Sequence, residues 1–202
     1  MIRRSTTRAC AAGRTAFGFS LRAAALLLLA ACAPLICRAQ QERPTEYQVK
    51  AVYLFNFSRF VSWPAGPAAD SSRPFSICVL GKDPFGAALD SILAGENIGG
   101  RKVVARRLAQ PEQALDCRVL FISTSEEVRL KDILSALDKS SVLTVSDLPH
   151  FNELGGMIQF VLQGDRVRFA VNLDSASEAR LTFSSNLLKV AVAVRGNQSR
   201  SE

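Results

Sequence analysis

The sequence predicts a single α/β domain: a mixed β-sheet flanked by helices, closing with a C-terminal hairpin followed by a helix. Three observations lead there. From Thr45 onward, short β-rich apolar runs alternate with segments of helical spacing, the pattern of a largely parallel sheet. Runs 157–162 and 166–173 then flank Gln163-Gly164-Asp165, a short glycine-containing turn that adds antiparallel strands. No repeat, low-complexity tract or second domain interrupts the pattern, and 202 residues suffice for one core.

Residues 1–39 read as a secretory signal peptide, leaving 40–202 as the domain. An arginine-rich start precedes an apolar run over 23–36, and Cys37-Arg38-Ala39 places small residues where a signal peptidase reads. The run is too short to span a bilayer as a mature helix. Leu29-Ala30-Ala31-Cys32 also fits a lipoprotein box, which would leave a lipidated anchor at Cys32; the apolar stretch continuing past Cys32 favours cleavage after Ala39. Either route exports the body to the periplasm.

The formal charge of +7 belongs to this leader. Arg3, Arg4, Arg8, Arg14, Arg22 and Arg38 lie in it and every acidic residue lies after it, so from Gln40 onward 19 basic residues face 18 acidic ones. A body this close to neutral lacks the footprint of a nucleic-acid binder. Of the five cysteines, Cys10, Cys32 and Cys37 fall in the leader, and Cys78 and Cys117 remain in the body. Those two are either one disulfide or two buried thiols, and an oxidising compartment favours the bridge.

In order, a helix over 45–61 opens with a Thr45/Gln48 capping box. Val49, Val52, Tyr53, Phe57, Phe60 and Val61 recur at helical spacing, Leu54 and Phe55 widen the apolar face, and Trp63-Pro64 ends it. A polar loop fills 65–73. A strand over 75–80 ends at Gly81, and Asp83-Pro84 starts a helix to Leu93. Gly95, Gly99 and Gly100 turn the chain into a strand over 102–107; a buried strand follows at 117–123. Ser123-Thr124-Ser125-Glu126 caps a helix to about Lys139, a strand covers 142–145, and 147–154 is a loop or short helix. In the hairpin, Val167, Phe169, Val171 and Leu173 face one way, while 157–162 is apolar on nearly both faces and belongs inside the sheet. Ser175 and Glu178 read as the capping box of the next helix.

The residues of catalysis are missing. His150 is the single histidine, between Pro149 and Phe151, and no G-x-S-x-G elbow is present. Gly81-Lys82-Asp83 lacks the preceding glycine and following hydroxyl of a phosphate loop. Ser185 and Lys189 are four apart, not the S-x-x-K spacing. Two thiols without a CxxC and one histidine make no metal site. The expectation is a non-enzyme without cofactor.

Taken together, several segments resemble the YfiR family of periplasmic proteins. They are Glu46-Tyr47-Gln48-Val49-Lys50-Ala51-Val52-Tyr53-Leu54-Phe55-Asn56-Phe57 with Phe60-Val61-Ser62-Trp63-Pro64, then Ile77-Cys78-Val79-Leu80-Gly81 with Asp83-Pro84-Phe85-Gly86. Next come Cys117-Arg118-Val119-Leu120-Phe121-Ile122-Ser123 and Leu143-Thr144-Val145-Ser146-Asp147. Last come Gly155-Gly156-Met157-Ile158, Arg166-Val167-Arg168-Phe169 with Asn172-Leu173, and Ser184-Ser185-Asn186-Leu187-Leu188-Lys189. The resemblance implies an exported, dimeric, non-enzymatic α/β domain. It would repress a membrane-bound diguanylate cyclase by binding the cyclase's periplasmic sensor domain, lowering cyclic di-GMP and biofilm formation. Cys78 and Cys117 match a cysteine pair of the family; a second family pair has no counterpart, so a two-disulfide redox switch does not carry over. Ala170 stands where an acidic residue occurs in a partner-contact region, a departure that bears on the partner's identity.

On this reading the candidate partner contacts are Phe151, Met157, Phe169, Leu173, Ala176 and Leu181, near the hairpin and last helix. The alternative is a periplasmic protein that binds a small ligand or peptidoglycan fragment through an aromatic pocket of Tyr53, Phe57 and Trp63 and acts with another membrane partner.

Overall fold

The computed structural model describes residues 43–64 and 73–196. The expectations for the leader, including Cys32 and cleavage after Ala39, and for the loop over 65–72 lie outside the described residues. The chain divides at Arg43–Pro44, and the fold below is that of the unit beginning at Pro44.

Helix α1 (Glu46–Phe60) opens with the expected box: Gln48 N donates to the Thr45 side chain and Thr45 N donates to Gln48 Oε1. It stops one residue earlier than expected because β1 (Val61–Ser62) pairs antiparallel with β9 (Thr182–Phe183). Strand β2 (Phe75–Leu80) falls where the sequence places it. Helix α2 (Ala87–Leu93) starts three residues late, since Asp83 Oδ1 accepts from Phe85 N at 2.7 Å and caps a turn, not a helix. Strands β3 (Asn97–Ile98) and β4 (Arg101–Leu108) form a hairpin over the glycine pair Gly99-Gly100, and a 3-10 turn at Pro111–Asp116 follows. Strand β5 (Val119–Ile122) leads into a 3-10 stretch at Thr124–Arg129, and only Leu130–Ala136, α3, is α-helical. The expected helix to Lys139 is thus two pieces, and it ends before Lys139, which has positive φ.

After β6 (Leu143–Ser146) come β7 (Ile158–Gln163) and β8 (Arg166–Asn172), turning at Gly164 with φ +58°. The Ser175–Glu178 box is not formed. Helix α4 (Leu173–Glu178) begins earlier, capped by Asn172, whose Oδ1 accepts from Asp174 N and Ser175 N. Helix α5 (Ser185–Val190) and β10 (Ala193–Arg195) complete the described chain.

The eight-stranded sheet runs β10-β8-β7-β6-β5-β2-β4-β3. Strands β4, β2, β5, β6 and β7 are mutually parallel, β8 is antiparallel to β7, and β10 returns parallel to β8. This is the mixed α/β sheet the sequence predicts. Alternation splits the core in two. Ile77, Val79, Val119, Phe121, Leu143 and Val145 face α1, α2 and α5. Cys78, Leu80, Leu120 and Ile122 face α3, with Leu148 and Phe151. Central strands covered on both faces explain their uninterrupted apolar runs. Strand β7 departs from this: β6 pairs with it only at Ile158 and Gln159, and beyond Phe160 it opens, leaving Leu162 exposed.

Cys78 and Cys117, 39 positions apart in sequence, are joined on the α3 face with Cα atoms 6.1 Å apart. Both are buried, at 0% and 3% exposure. Replacing both by alanine should lower unfolding free energy by about 4 kcal/mol on the chain-entropy relation, read as a lower denaturant midpoint.

Gly156 explains the paired glycines before β7. A Cβ there would lie 2.1 Å from the fully buried Phe151 ring. Gly156→Ala should therefore destabilise by about 3 kcal/mol. Adding Phe151→Leu should cost less than the sum of the two single changes, because the removed ring is what the methyl strikes; additive losses in a double-mutant cycle would refute the collision.

Candidate functional site

In open α/β sheets, ligands favour the carboxyl ends of the parallel strands. At that end, the structure gathers a polar cluster from α1 and the residue after β6. Asp147 Oδ2 accepts from Lys50 Nζ at 2.6 Å and from the Tyr47 hydroxyl at 2.9 Å. Glu46 pairs with the same ammonium from one turn earlier in α1. The Lys50 side chain is only 3% exposed and that of Asp147 10%. The ammonium lies 4.5 Å from the Tyr47 ring centroid and 5.8 Å from that of Phe160. Asp147 Oδ1 is buried without a hydrogen-bond partner. Glu46, Lys50, Asp147 and Phe160, with Thr124, Val161 and Leu162, line a cleft of about 270 Å³.

This arrangement pairs charges and ties α1 to the strand end. Tyr47 is pushed up to about 12, by burial first and then by the hydrogen bond to Asp147. No nucleophile is paired with a base here. His150 stands on the surface, with Nδ1 3.0 Å from Glu153 Oε2.

The structure places the six sequence-derived partner contacts in or against the core. Phe151, Met157, Phe169, Ala176 and Leu181 are 0–6% exposed, and Leu173 is half-buried against the same core. Every second residue of β8 and the inner side of α4 point into the sheet–helix interface, so these side chains form the interior. The three aromatic residues of the alternative pocket do not converge either. Tyr53 and Phe57 stack on each other and meet Phe160 and Phe169, at centroid distances of 5.0–6.0 Å, as the packing between α1 and the hairpin. Trp63 stands edge-on to Phe75, 5.4 Å away, and lines a different cleft.

Sequence reasoning missed Lys50 and Asp147, which lie 97 positions apart. The available signal was a lysine between Val49 and Ala51 in an otherwise apolar run over 49–55.

The folded chain holds the Tyr47 proton more tightly than the unfolded chain, where tyrosine loses it near pH 10. That stabilisation is complete below about pH 10 and is lost as pH rises from about 10 to 12. Denaturant midpoints measured across this window should fall more steeply for the wild type than for Tyr47→Phe; parallel curves would dismiss the coupling.

Comparison with known proteins follows the same lines. Among solved structures, a "conserved domain protein" from Vibrio cholerae O1 biovar El Tor strain N16961 aligns with a TM-score of 0.53 at 10% identity. The alignment covers 75% of this chain and 60% of that one, so this chain spans well under two thirds of its length, and the likeness speaks to fold alone. The ABC domain in complex with L-Trp from Streptococcus pneumonia aligns with a TM-score of 0.43 at 12% identity, covering 59% of this chain and 55% of that one, too low to carry an argument. A family model described as YfiR/HmsC-like matches residues 47–192, from the first turn of α1 to the residue before β10. That match takes in both faces of the core, the disulfide and the Lys50–Asp147 cluster, and the chain belongs to the YfiR/HmsC-like family.

Proposed function

We propose that this chain is an exported regulatory binding protein that represses a membrane-bound diguanylate cyclase through the cyclase's periplasmic sensor domain, and so lowers cyclic di-GMP. The observation that carries this is membership of the YfiR/HmsC-like family, which suggests a periplasmic regulator of diguanylate cyclase signalling rather than an enzyme. Two features agree with it. No helix among the described residues is long and apolar enough to cross a membrane. The leader over 1–39 supplies a route of export, with cleavage after Ala39.

Repression by binding requires unequal affinity for two states of the cyclase. Moving a partner's inactive-to-active ratio from 1:99 to 99:1 needs about 5.5 kcal/mol of difference between them. With the six earlier candidates in the interior, that grip falls to exposed apolar side chains, among them Val190, Val192 and Val194 at 40–56% exposure. Val194 lies in β10, which ends the sheet order, so its outer edge also presents backbone donors and acceptors to an added strand. A homodimer belongs to the same proposal.

Deleting the gene should raise cellular cyclic di-GMP, and a plasmid-borne copy should restore it. Val190→Asp and Val194→Asp should weaken capture of the cyclase sensor domain at least ten-fold while leaving the thermal midpoint within about 2 °C, since the residues are at the surface. An unchanged cyclic di-GMP level in the deletion strain would sink the proposal.

A further inference from the structure

The cleft beside Asp147 lies where two strands part. β6 and β7 pair at Val145–Ile158 and Ser146–Gln159 and no further. β7 then runs on to Gln163 paired with β8 alone, and Asp147 follows β6 at the point where the pairing stops. The cleft of about 270 Å³ is walled by Glu46 and Lys50 of α1, by Asp147, and by Phe160, Val161 and Leu162 of β7.

Its charge is unbalanced. The carboxylates of Glu46 and Asp147 line it against the single ammonium of Lys50, an excess of one negative charge. That ammonium is already shared, pairing with Glu46 and donating to Asp147 Oδ2, which also accepts from the Tyr47 hydroxyl. The Asp147 side chain is nine-tenths buried, at 10% exposure, yet its Oδ1 has no hydrogen-bond partner. A buried acceptor left unmatched is uncommon, and an ionised one forms the stronger bonds. It calls for a donor, and the excess charge calls for a cationic one. Among the described residues no three acidic, histidine or cysteine side chains converge as a metal site, so the donor set suits an organic cation and not a bare divalent ion. The rest of the wall agrees: Phe160, Val161 and Leu162 offer carbon surface, and Leu162 is 57% exposed at the cleft.

We infer that this cleft binds a small organic amine, its ammonium donating to Asp147 Oδ1 and facing Glu46, its carbon skeleton lying on Phe160, Val161 and Leu162. The bound ammonium matches the unpaired oxygen and cancels the excess charge. The volume limits the ligand to a small one. The site shares no residue with the β10 surface proposed above, so failure of cyclase capture leaves it standing, and the reverse.

The test uses the whole exported chain at pH 7, where an alkylamine is protonated. n-Butylamine, n-butanol and butyrate are titrated separately at matched ionic strength, with amide chemical shifts as the readout. Butylamine should shift the Thr124, Asp147, Val161 and Leu162 amides saturably, with Kd about 10 mM for so small a probe. Ethylamine should bind about ten-fold more weakly, since it buries two fewer CH₂ groups. Butanol should bind at least ten-fold more weakly than butylamine, and butyrate should leave these amides unshifted. Glu46→Gln should raise the butylamine Kd about ten-fold, the loss of one facing charge. Asp147→Asn should do so more strongly; if that variant does not fold, Glu46→Gln decides. No saturable shift by about 100 mM, butanol or butyrate binding as well as butylamine, or a Kd unchanged in Glu46→Gln, overturns the inference.

Discussion

A lysine side chain 3% exposed is costly to bury unless a carboxylate meets it, and the meeting of Lys50 with Asp147 constrains how α1 lies across the sheet. A buried pair of this kind adds little net stability over apolar residues of the same volume. What it does is penalise every register of α1 in which the two charges fail to meet. The aromatic contacts then follow from that register. Tyr53 and Phe57 reach Phe160 and Phe169 on the hairpin, while Tyr47 meets Phe85, which in turn meets Phe121 of β5. One helix therefore ties the parallel half of the sheet to the antiparallel hairpin. Each aromatic pair adds about 1 kcal/mol beyond the area it buries.

The opposite face is closed by different means. Helix α3 is two turns long, and the segments before it are 3-10 turns, so little helical surface covers Cys78, Leu80, Leu120 and Ile122. The disulfide fills that shortfall covalently. It encloses α2, β3, β4 and the Pro111–Asp116 turn in one loop, limiting the freedom of the sheet's β4–β3 edge in the unfolded chain. Arg107 supports the same edge from outside. Its guanidinium binds Asp83 and Asp90 together, and the hydrogen bond to Arg107 holds Asp90 below the usual carboxylate range.

What was legible in the sequence was whatever local pattern dictates. The period-2 alternation of 167–173 and the all-apolar runs of β2 and β5 placed the central strands and the mixed sheet, and the Thr45/Gln48 box placed the start of α1 within a residue. Local signals failed where another local bond competed. Asp83 and Asn172 both carry side chains that cap a turn or an earlier helix start, and Asn172 displaced the Ser175 box because its amide also donates to Asn152 O. Strand β10 was invisible because three exposed residues become a strand only by pairing with β8. The site was less legible than the fold. Apolar residues near the hairpin read equally as contact or core, and burial decided for core. The Lys50–Asp147 pair is made by residues 97 positions apart, which no spacing rule connects.

The geometry also narrows how such a regulator receives a signal. Thiol–disulfide exchange needs a thiolate to reach a sulfur, and both sulfurs here are covered by the α3-side core, so reduction must wait for local opening. A redox input acting on the folded state is therefore disfavoured, and the bridge belongs to the framework. The contacts that reach α1 from the far edge of the sheet are ones of packing and pairing, not of covalent linkage: β10 pairs with β8, whose Phe169 packs on Phe57 of α1.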